Sequence, residues 1–172
     1  KEVLMQIDND YDWKILFVID PSTDTTQEVL RSIASKDKRV QLITLSRRFG
    51  HQMSLVAGID NSDEDIVIMM DSDLQHPPDL IIKMLEAYEQ GCEVVYTVRN
   101  YPRDSNIFKR FGSKFFYKLM GALSDIQLTP GEADYRLISK RIVDIFKTNM
   151  RERNQFLRGL FKWVGYKRTE IT

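Results

Sequence analysis

Apolar and polar positions alternate along the first half of the chain in blocks that predict strands and helices in turn. Short runs rich in β-branched residues predict strands, and longer stretches with apolar residues three or four positions apart predict helices. The predicted strands are 14–20, 40–45, 66–70 and 93–98, and the predicted helices are 26–35, 51–59 and 78–90. In the helix 26–35 the apolar spacing predicts that Val29, Leu30, Ile33 and Ala34 face inward. This alternation indicates βαβ units, a mainly parallel sheet and helices on both of its faces.

The second half changes character. A wide apolar stripe at helical spacing runs from Ile107 to Leu123, with Arg110, Lys114 and Lys118 along its edge. The stripe is typical of a core-packing helix with a solvated basic rim, and equally of an interfacial helix that turns its cations toward lipid phosphates. Another helix is predicted over Ile138–Phe146, and a closing helix places Gln155, Arg158 and Lys162 on one face.

The most specific feature is the acidic segment that follows the strand 66–70, whose wholly apolar run predicts burial on both faces. Asp71 and Asp73 stand one residue apart, so in extended backbone their side chains point to the same side. Two carboxylates can hold one hard divalent cation, which in turn can bind a diphosphate. Pro77 and Pro78 then open the next helix. A bare pair of this kind is also compatible with an acidic turn that caps that helix.

Composition excludes few functions. With 172 residues, 42% of them apolar, the chain can bury one good core and is predicted to form a single domain over 1–172. A formal net charge of zero gives no global field to attract nucleic acid. The single cysteine, Cys92, cannot form an internal disulfide and is predicted to be buried. No apolar run approaches the roughly 20 residues that cross a bilayer.

The acidic segment and other motifs resemble glycosyltransferase family 2, in the branch similar to dolichyl-phosphate mannosyltransferase and the bacterial polyprenyl-phosphate glycosyltransferases. The matching segments, in the family's order, are Phe17–Asp24, Leu45–Gly50 with Ala57–Asp60, Asp71–Asp79, Ala133–Leu137 and Phe156–Gly165. Together they run over essentially the whole chain. In this family a first strand precedes the matching region and a membrane segment often follows it, so both are expected to lie outside the present sequence.

The resemblance implies a GT-A (Rossmann-like) α/β fold with a mixed, mainly parallel sheet flanked by helices and a helical acceptor-side extension. It implies inverting transfer of a sugar from a UDP- or GDP-linked donor to a polyprenyl (undecaprenyl- or dolichyl-type) phosphate. Mg²⁺ or Mn²⁺ would be held by Asp71 and Asp73. The expected partners are the donor, the lipid-linked acceptor and the cytoplasmic face of the membrane, with a homo-oligomer as a further expectation.

Individual site residues follow from the same resemblance. Those implied to bind the nucleotide sugar are Asp20, Arg47, Asp71, Ser72, Asp73 and Gln75. The chain departs from the family pattern at Ile19, where relatives carry an acid, and at Pro21, where they carry glycine. For Asp20, together with Ser22 and Asp24, a helix-capping cluster is the alternative. His51 and His76 have no partner at metal-ligand spacing and are interpreted as loop or helix-start residues.

On the acceptor side, the implied catalytic residues are Asp134, Arg136 and the metal-binding Asp73. A phosphate acceptor and a diphosphate leaving group require cations, so the predicted phosphate-binding residues are Arg99, Arg103 and Arg158, together with Gln155. Asp134 would act as a general base toward a sugar hydroxyl, whereas toward a lipid phosphate it would orient groups. Its alternative is an acid that initiates the helix at Ile138. Two other functions stay open: transfer to a saccharide hydroxyl, and a non-catalytic nucleotide-sugar-binding module, which Ile19 and Pro21 make conceivable.

Overall fold

The computed structural model describes residues 2–98, 129, 131–152 and 155–172. Arg99, Arg103 and the helix predicted over Ile107–Leu123 lie outside these ranges. The chain divides into two compact units, one of residues 1–64 with 143–155 and one of residues 65–142 with 156–172.

The described residues form six helices and six strands. The helices are α1 (Glu2–Gln6), α2 (Thr26–Lys36), α3 (His51–Asp60), α4 (Leu80–Glu89), α5 (Lys140–Asn149) and α6 (Leu157–Trp163). The strands are β1 (Ile15–Ile19), β2 (Val40–Thr44), β3 (Ile66–Met69), β4 (Val94–Val98), β5 (Glu132–Ser139) and β6 (Arg168–Ile171). The strands and helices predicted for the first half are confirmed to within about two residues at each end, the usual uncertainty of an element boundary. No described helix has both the length and the apolar character needed to cross a membrane.

In the first unit, β1 and β2 pair in parallel from Ile15 opposite Val40 to Ile19 opposite Thr44. Helix α3 packs closely on β1, since a Cβ added at Gly58 would lie 3.6 Å from the side chain of Val18. The Arg151 guanidinium lies 2.6 Å from the carboxylate of Asp60, the last residue of α3. The register of β1 and β2 confirms the predicted parallel arrangement.

Helix α2 differs from expectation in the face that it buries. Val29 and Ile33 are 53% and 43% exposed, whereas Leu30 and Ala34 are half-buried. The apolar stripe of the helix is wider than its contact with β2, so the row that carries Val29 and Ile33 faces outward. The prediction that all four residues face inward is wrong for these two.

The sheet of the second unit has the strand order β3-β5-β4-β6. The central strand β5 runs antiparallel to β3 and to β4, while β4 and β6 are parallel. All eight residues of β5 are buried. The register between β4 and β5 shifts between Tyr96 and Val98. The mixed α/β class is confirmed, and the antiparallel position of β5 is the feature that sequence periodicity did not indicate.

Two further predictions in this unit need correction. The helix predicted from Ile138 begins only at Lys140, because Leu137 and Ile138 fill the centre of the sheet and are fully buried. Three of the four residues of β3 are half-buried rather than buried on both faces. Within the described residues β3 pairs only with β5 and so forms an edge of this sheet.

Helix α4 begins and ends as its sequence predicts. The carbonyls of Pro77 and Pro78 accept the N–H groups of Leu80 and Ile81 at 3.3 Å and 3.0 Å. At the other end Gly91 adopts a φ of 85°, and hydrogen bonds from Gly91 to Tyr88 and from Cys92 to Ala87 close a Schellman motif. Cys92 is buried, as predicted.

Candidate active site

The acidic segment forms an exposed, tightly turned loop after β3. The Asp73 carboxylate accepts a hydrogen bond from the backbone N–H of Gln75 at 3.0 Å. Between them Leu74 has a φ of +63° and is 98% exposed. Left-handed backbone costs a leucine about 1–2 kcal/mol, so this turn stores strain while its side chain buries nothing. Ser72, Asp73 and Gln75 are exposed and Asp71 is half-buried, so the loop presents polar groups to solvent.

The loop offers ligands for a cation whose coordination would be completed by substrate phosphates, rather than a site in which protein side chains supply every ligand. Within residues 2–98, 129, 131–152 and 155–172, no group of three or more His, Cys, Asp or Glu side chains could hold a metal ion. Mg²⁺ keeps several waters and is typically bound through one or two carboxylates together with substrate phosphates. Asp71 and Asp73 fit that role, since both offer hard oxygen ligands at the exposed end of a strand.

His76 connects this loop to the core of the unit. Its ring is 6% exposed, and its Nε2 lies 3.3 Å from Oδ2 of Asp71. The His76 ring also lies against the ring of Tyr135, with the centroids 5.0 Å apart. The Tyr135 hydroxyl donates a hydrogen bond to the carbonyl of Pro77 at 3.1 Å. Burial, with a smaller contribution from Asp79, raises the pKa of Tyr135 to about 12, so the hydroxyl keeps its proton at neutral pH.

Strand β5 carries the second polar cluster on alternate residues. Glu132, Asp134 and Arg136 share one face because side chains alternate along a strand. Met69 of β3 lies opposite Arg136, and the two strands run antiparallel. The loop that follows Met69 therefore leaves the sheet toward the end of β5 that carries Asp134. The metal-binding candidates and the acceptor-side candidates lie at the same end of this sheet.

Asp134 is held by a bidentate ion pair from α6. Nε and Nη2 of Arg158 donate to Oδ1 and Oδ2 of Asp134 at 2.8 Å and 2.9 Å. The Asp134 side chain is 7% exposed, whereas that of Arg158 is 40% exposed. Paired hydrogen bonds between a guanidinium and a carboxylate are among the strongest polar contacts in proteins. Asp134 therefore orients an arginine that is still accessible from solvent.

Beside this pair lies a second, deeper one. Nζ of Lys162 is 3.0 Å from Oε2 of Glu132 and donates to Oγ1 of Thr129 at 2.7 Å. Both charged side chains are 4% exposed. Burial lowers the pKa of Lys162, and the contact with Glu132 opposes that shift. The ion pair thus keeps a cation inside the protein.

Arg136 lies between the two acids and is the most buried charge of the site. Its Nη2 is 3.4 Å from Glu132 and 3.5 Å from Asp134, and the guanidinium lies 4.6 Å from the ring centroid of Phe161. Burial lowers the pKa of Arg136, and the two carboxylates counteract this. Nη1 is buried and has no hydrogen-bond partner among the described residues. Among the described side chains of this cluster, two carboxylates face three cations, which gives these side chains one positive charge in excess.

The structure places the acceptor-side candidates differently from the sequence interpretation. Asp134 lies within a central strand, so the alternative of a helix-initiating acid is wrong. Arg158 and Lys162 share a face of α6, as predicted, and reach the acids of β5. Gln155 precedes α6 and donates to the carbonyl of Met150 at 2.6 Å in the first unit.

The first unit holds the remaining donor-side candidates. Asp20 follows β1 and is half-buried, and its Oδ1 has no hydrogen-bond partner among the described residues. Asp24, which precedes the N-cap residue Thr25, instead satisfies the start of α2 by accepting the N–H of Thr26 at 2.9 Å. Hydrogen bonds from the Thr26 hydroxyl and from this N–H lower the pKa of Asp24. The exposed Arg47 lies over the ring of Phe49, 4.2 Å from its centroid.

Sequence reasoning missed the roles of His76, Tyr135 and Glu132. A strand could have been recognised from the alternation of charged and apolar residues between Glu132 and Arg136, since this alternation has a period of two. His76 offered no comparable signal, because its burial depends on a tyrosine far along the chain.

Comparison with known proteins identifies the family. The model of glycosyl transferase family 2 matches residues 1–146. The chain belongs to glycosyl transferase family 2, and the α/β architecture with its exposed acidic loop is that of a glycosyltransferase domain.

Three relatives show how similar the chain is to individual members of this family. The chain is 39% identical over 171 residues to the uncharacterized glycosyltransferase YkcC of Bacillus subtilis, covering 99% of this chain and 52% of that protein. It is 36% identical to the uncharacterized glycosyltransferase sll0501 of Synechocystis, covering 92% of this chain and 50% of that protein. It is 33% identical to the bactoprenol glucosyl transferase of Shigella phage SfX, covering 90% and 50%. The chain spans about half the length of these relatives.

Proposed function

We propose that the protein transfers a sugar from a nucleotide-sugar donor to a polyprenyl phosphate at the cytoplasmic face of the membrane. Family membership supports sugar transfer, and the likeness to a bactoprenol glucosyl transferase supports a polyprenyl acceptor. The observation that carries the choice of a phosphate acceptor is the cluster around β5. There Asp134, the candidate base, is held by an arginine, and cations outnumber carboxylates three to two among the described side chains of the cluster.

A hydroxyl acceptor requires a group that removes its proton. Both oxygens of Asp134 accept hydrogen bonds from Arg158, and Arg136 approaches the same carboxylate. Protonating Asp134 would break this arrangement and leave buried cations without their counter-charge, which is costly. Asp134 is therefore suited to orienting Arg158 rather than to taking a proton.

A phosphate acceptor makes the opposite demands. The second pKa of a phosphate monoester is near 6, so the nucleophile is already largely ionised at neutral pH. It needs cations, because a phosphate and a diphosphate leaving group bring several negative charges together. Arg158 is the accessible cation, while Arg136 and Lys162 add a fixed positive field behind it. Arg99 and Arg103, outside the described residues, are proposed to add further positive charge.

On the donor side, Asp71 and Asp73 would hold Mg²⁺ or Mn²⁺, and Ser72 and Gln75 would provide nearby hydrogen-bonding groups. When bound, the cation would neutralise charge on the departing diphosphate. Asp20 and Arg47 are proposed to bind the nucleotide. An acceptor phosphate oxygen would attack the anomeric carbon as the bond to the diphosphate breaks, and this in-line displacement inverts the configuration there.

The test measures transfer of radiolabelled sugar, into material that partitions into organic solvent for the lipid acceptors and into uncharged saccharide separated from the donor by anion exchange for the saccharide acceptor. Reactions would contain polyprenyl phosphate, the matching unphosphorylated polyprenol, or a soluble saccharide, each with Mn²⁺ and with a chelator. We expect Mn²⁺-dependent labelling of the polyprenyl phosphate alone. Labelling of the saccharide alone would instead show transfer to a hydroxyl, and donor binding without transfer to any acceptor would indicate a nucleotide-sugar-binding module.

A further inference from the structure

His76 lies at the junction between the exposed acidic loop and the buried strand β5. Its neighbours in the loop, Leu74 and Gln75, are exposed, whereas the His76 ring is 6% exposed. The ring packs on Tyr135 with 5.0 Å between centroids and places Nε2 3.3 Å from Oδ2 of Asp71. An ionised carboxylate only accepts hydrogen bonds, so Nε2 must carry the proton in this contact.

We propose that His76 is a positioning residue that fixes the Asp71 carboxylate for metal binding, and that Tyr135 fixes His76. The proposal rests on the proposed function in that it takes Asp71 to be a metal ligand. A hydrogen bond to one carboxylate oxygen limits rotation of the group, so it is directed before the cation arrives. Loss of such an outer contact typically costs about 10- to 100-fold in metal affinity.

Tyr135 makes the arrangement rigid from two sides. Its ring supports His76, and its hydroxyl donates to the carbonyl of Pro77 at 3.1 Å, immediately after His76 in the chain. Tyr135 is fully buried and lies in β5 between Asp134 and Arg136. Successive residues of one strand therefore hold the acceptor-side charges on one face and the metal-binding loop on the other.

The decisive experiment compares two amides of different reach at position 76. In His76→Gln the side-chain N–H group can occupy roughly the place of Nε2, whereas in His76→Asn it ends closer to the backbone and cannot reach Asp71. His76→Phe keeps the ring against Tyr135 but lacks the donor. The measurement is calorimetric titration of each purified protein with Mn²⁺ at a fixed concentration of nucleoside diphosphate, together with a thermal melt without metal.

We expect Mn²⁺ affinity to fall about 10- to 100-fold in His76→Asn and His76→Phe. His76→Gln should keep most of the wild-type affinity. The melting temperatures of the Asn and Gln variants should be similar, because both lose the same ring contact. Equal Mn²⁺ affinity in His76→Asn, His76→Gln and the wild-type protein would overturn the positioning role alone. Absence of Mn²⁺-dependent binding in the wild-type protein would overturn the metal site of the proposed function as well. Should His76→Phe fail to fold, the Asn and Gln pair still decides.

Discussion

The loop after β3 and the polar face of β5 each carry two carboxylates, but the protein holds them in opposite ways. In the loop, Asp73 is exposed, whereas Asp71 is half-buried and lies 3.3 Å from His76. On β5, the side chains of Glu132 and Asp134 are 4% and 7% exposed and are surrounded by cations. The loop thus leaves Asp73 open to a ligand from solvent and orients Asp71 through His76, whereas the strand pairs both of its carboxylates with cations.

The buried cluster is costly to maintain, since charges lose their hydration when they enter the protein interior. A hydrophobic cluster of similar volume is often at least as stable. Under the proposed function, the buried charges would provide preorganisation, because cations aimed in advance at an incoming anion need not rearrange when it binds. The proposed active site would then combine a metal-binding part completed by its substrate with an anion-binding part completed by the fold.

The largest effect should come from breaking the buried cluster. Glu132→Leu removes the carboxylate that contacts both Arg136 and Lys162 and leaves these two buried cations facing Asp134 alone, which should lower the free energy of unfolding by about 3–5 kcal/mol. Denaturant unfolding measures this value. The matched control is Glu64→Leu, because the Glu64 side chain is 52% exposed and pairs with Lys14 at 2.9 Å. It should change stability by less than about 1 kcal/mol. Equal losses of unfolding free energy in the two variants would show that the buried cluster contributes no more to stability than an exposed ion pair.

A smaller effect, confined to ligand binding, should follow a change in the loop. Asp73→Ala should lower Mn²⁺-dependent affinity for a nucleoside diphosphate roughly a hundredfold, which corresponds to about 2.8 kcal/mol. Its melting temperature should not change, since Asp73 is exposed. Calorimetry measures the affinity, and Asp79→Ala, which removes an exposed carboxylate from the same segment, serves as the control. Unchanged affinity in Asp73→Ala would remove this residue from the metal site.

Asp134→Asn removes a counter-charge of Arg136 and Arg158 and should therefore lower the melting temperature. The amide oxygen can still accept a hydrogen bond from Arg158 and no proton need be removed, so turnover of the folded variant with a polyprenyl phosphate should fall far less than loss of a general base would require. Loss of an essential general base costs about 10²–10⁴ in rate. The measurement is the initial rate of lipid labelling at saturating donor, with donor affinity determined in parallel. A loss within the general-base range at unchanged donor affinity would favour a hydroxyl acceptor.

The smallest effect should come from the strained turn. Leu74→Gly relieves left-handed strain of about 1–2 kcal/mol but adds about 0.5–1 kcal/mol of backbone entropy to the unfolded chain. We expect a net stabilisation of up to about 1.5 kcal/mol from these two terms, visible as a slightly higher melting temperature. Leu74→Ala, which keeps the strain and removes only an exposed side chain, should melt like the wild-type protein. A destabilised glycine variant would mean that the leucine side chain has contacts in solution.

The parts of the molecule that sequence predicts are those with local causes. Strand β3 and helix α4 follow from a β-branched run, a double proline and a terminal glycine, all within one short stretch. Asp71 and Asp73 are recognisable for the same reason. The wrong orientation of Val29 and Ile33 shows the limit of such reasoning, because a helical stripe reveals which residues are apolar and not how wide the surface beneath them is.

The parts that sequence did not predict depend on distant partners. Strand β5 is central because β3 and β4, far earlier in the chain, pair with it on both sides. Its last residues were assigned to the helix that follows, since a short apolar run fits either element until its neighbours are known. The burial of His76 requires a tyrosine whose hydroxyl binds a carbonyl 58 positions away.

The alternation along β5 also limits how this protein can change during evolution. One extra residue inserted between Asp134 and Tyr135, with Arg136–Ser139 kept in register, would turn Glu132 and Asp134 to the opposite face of the strand. The acids would then lie on the face of Tyr135 and lose their contacts with Arg136, Arg158 and Lys162. Substitutions can adjust either half of the site independently, but an insertion or deletion here would damage both halves at once. We therefore expect length variation among functional homologues to avoid this strand and to fall in the loops.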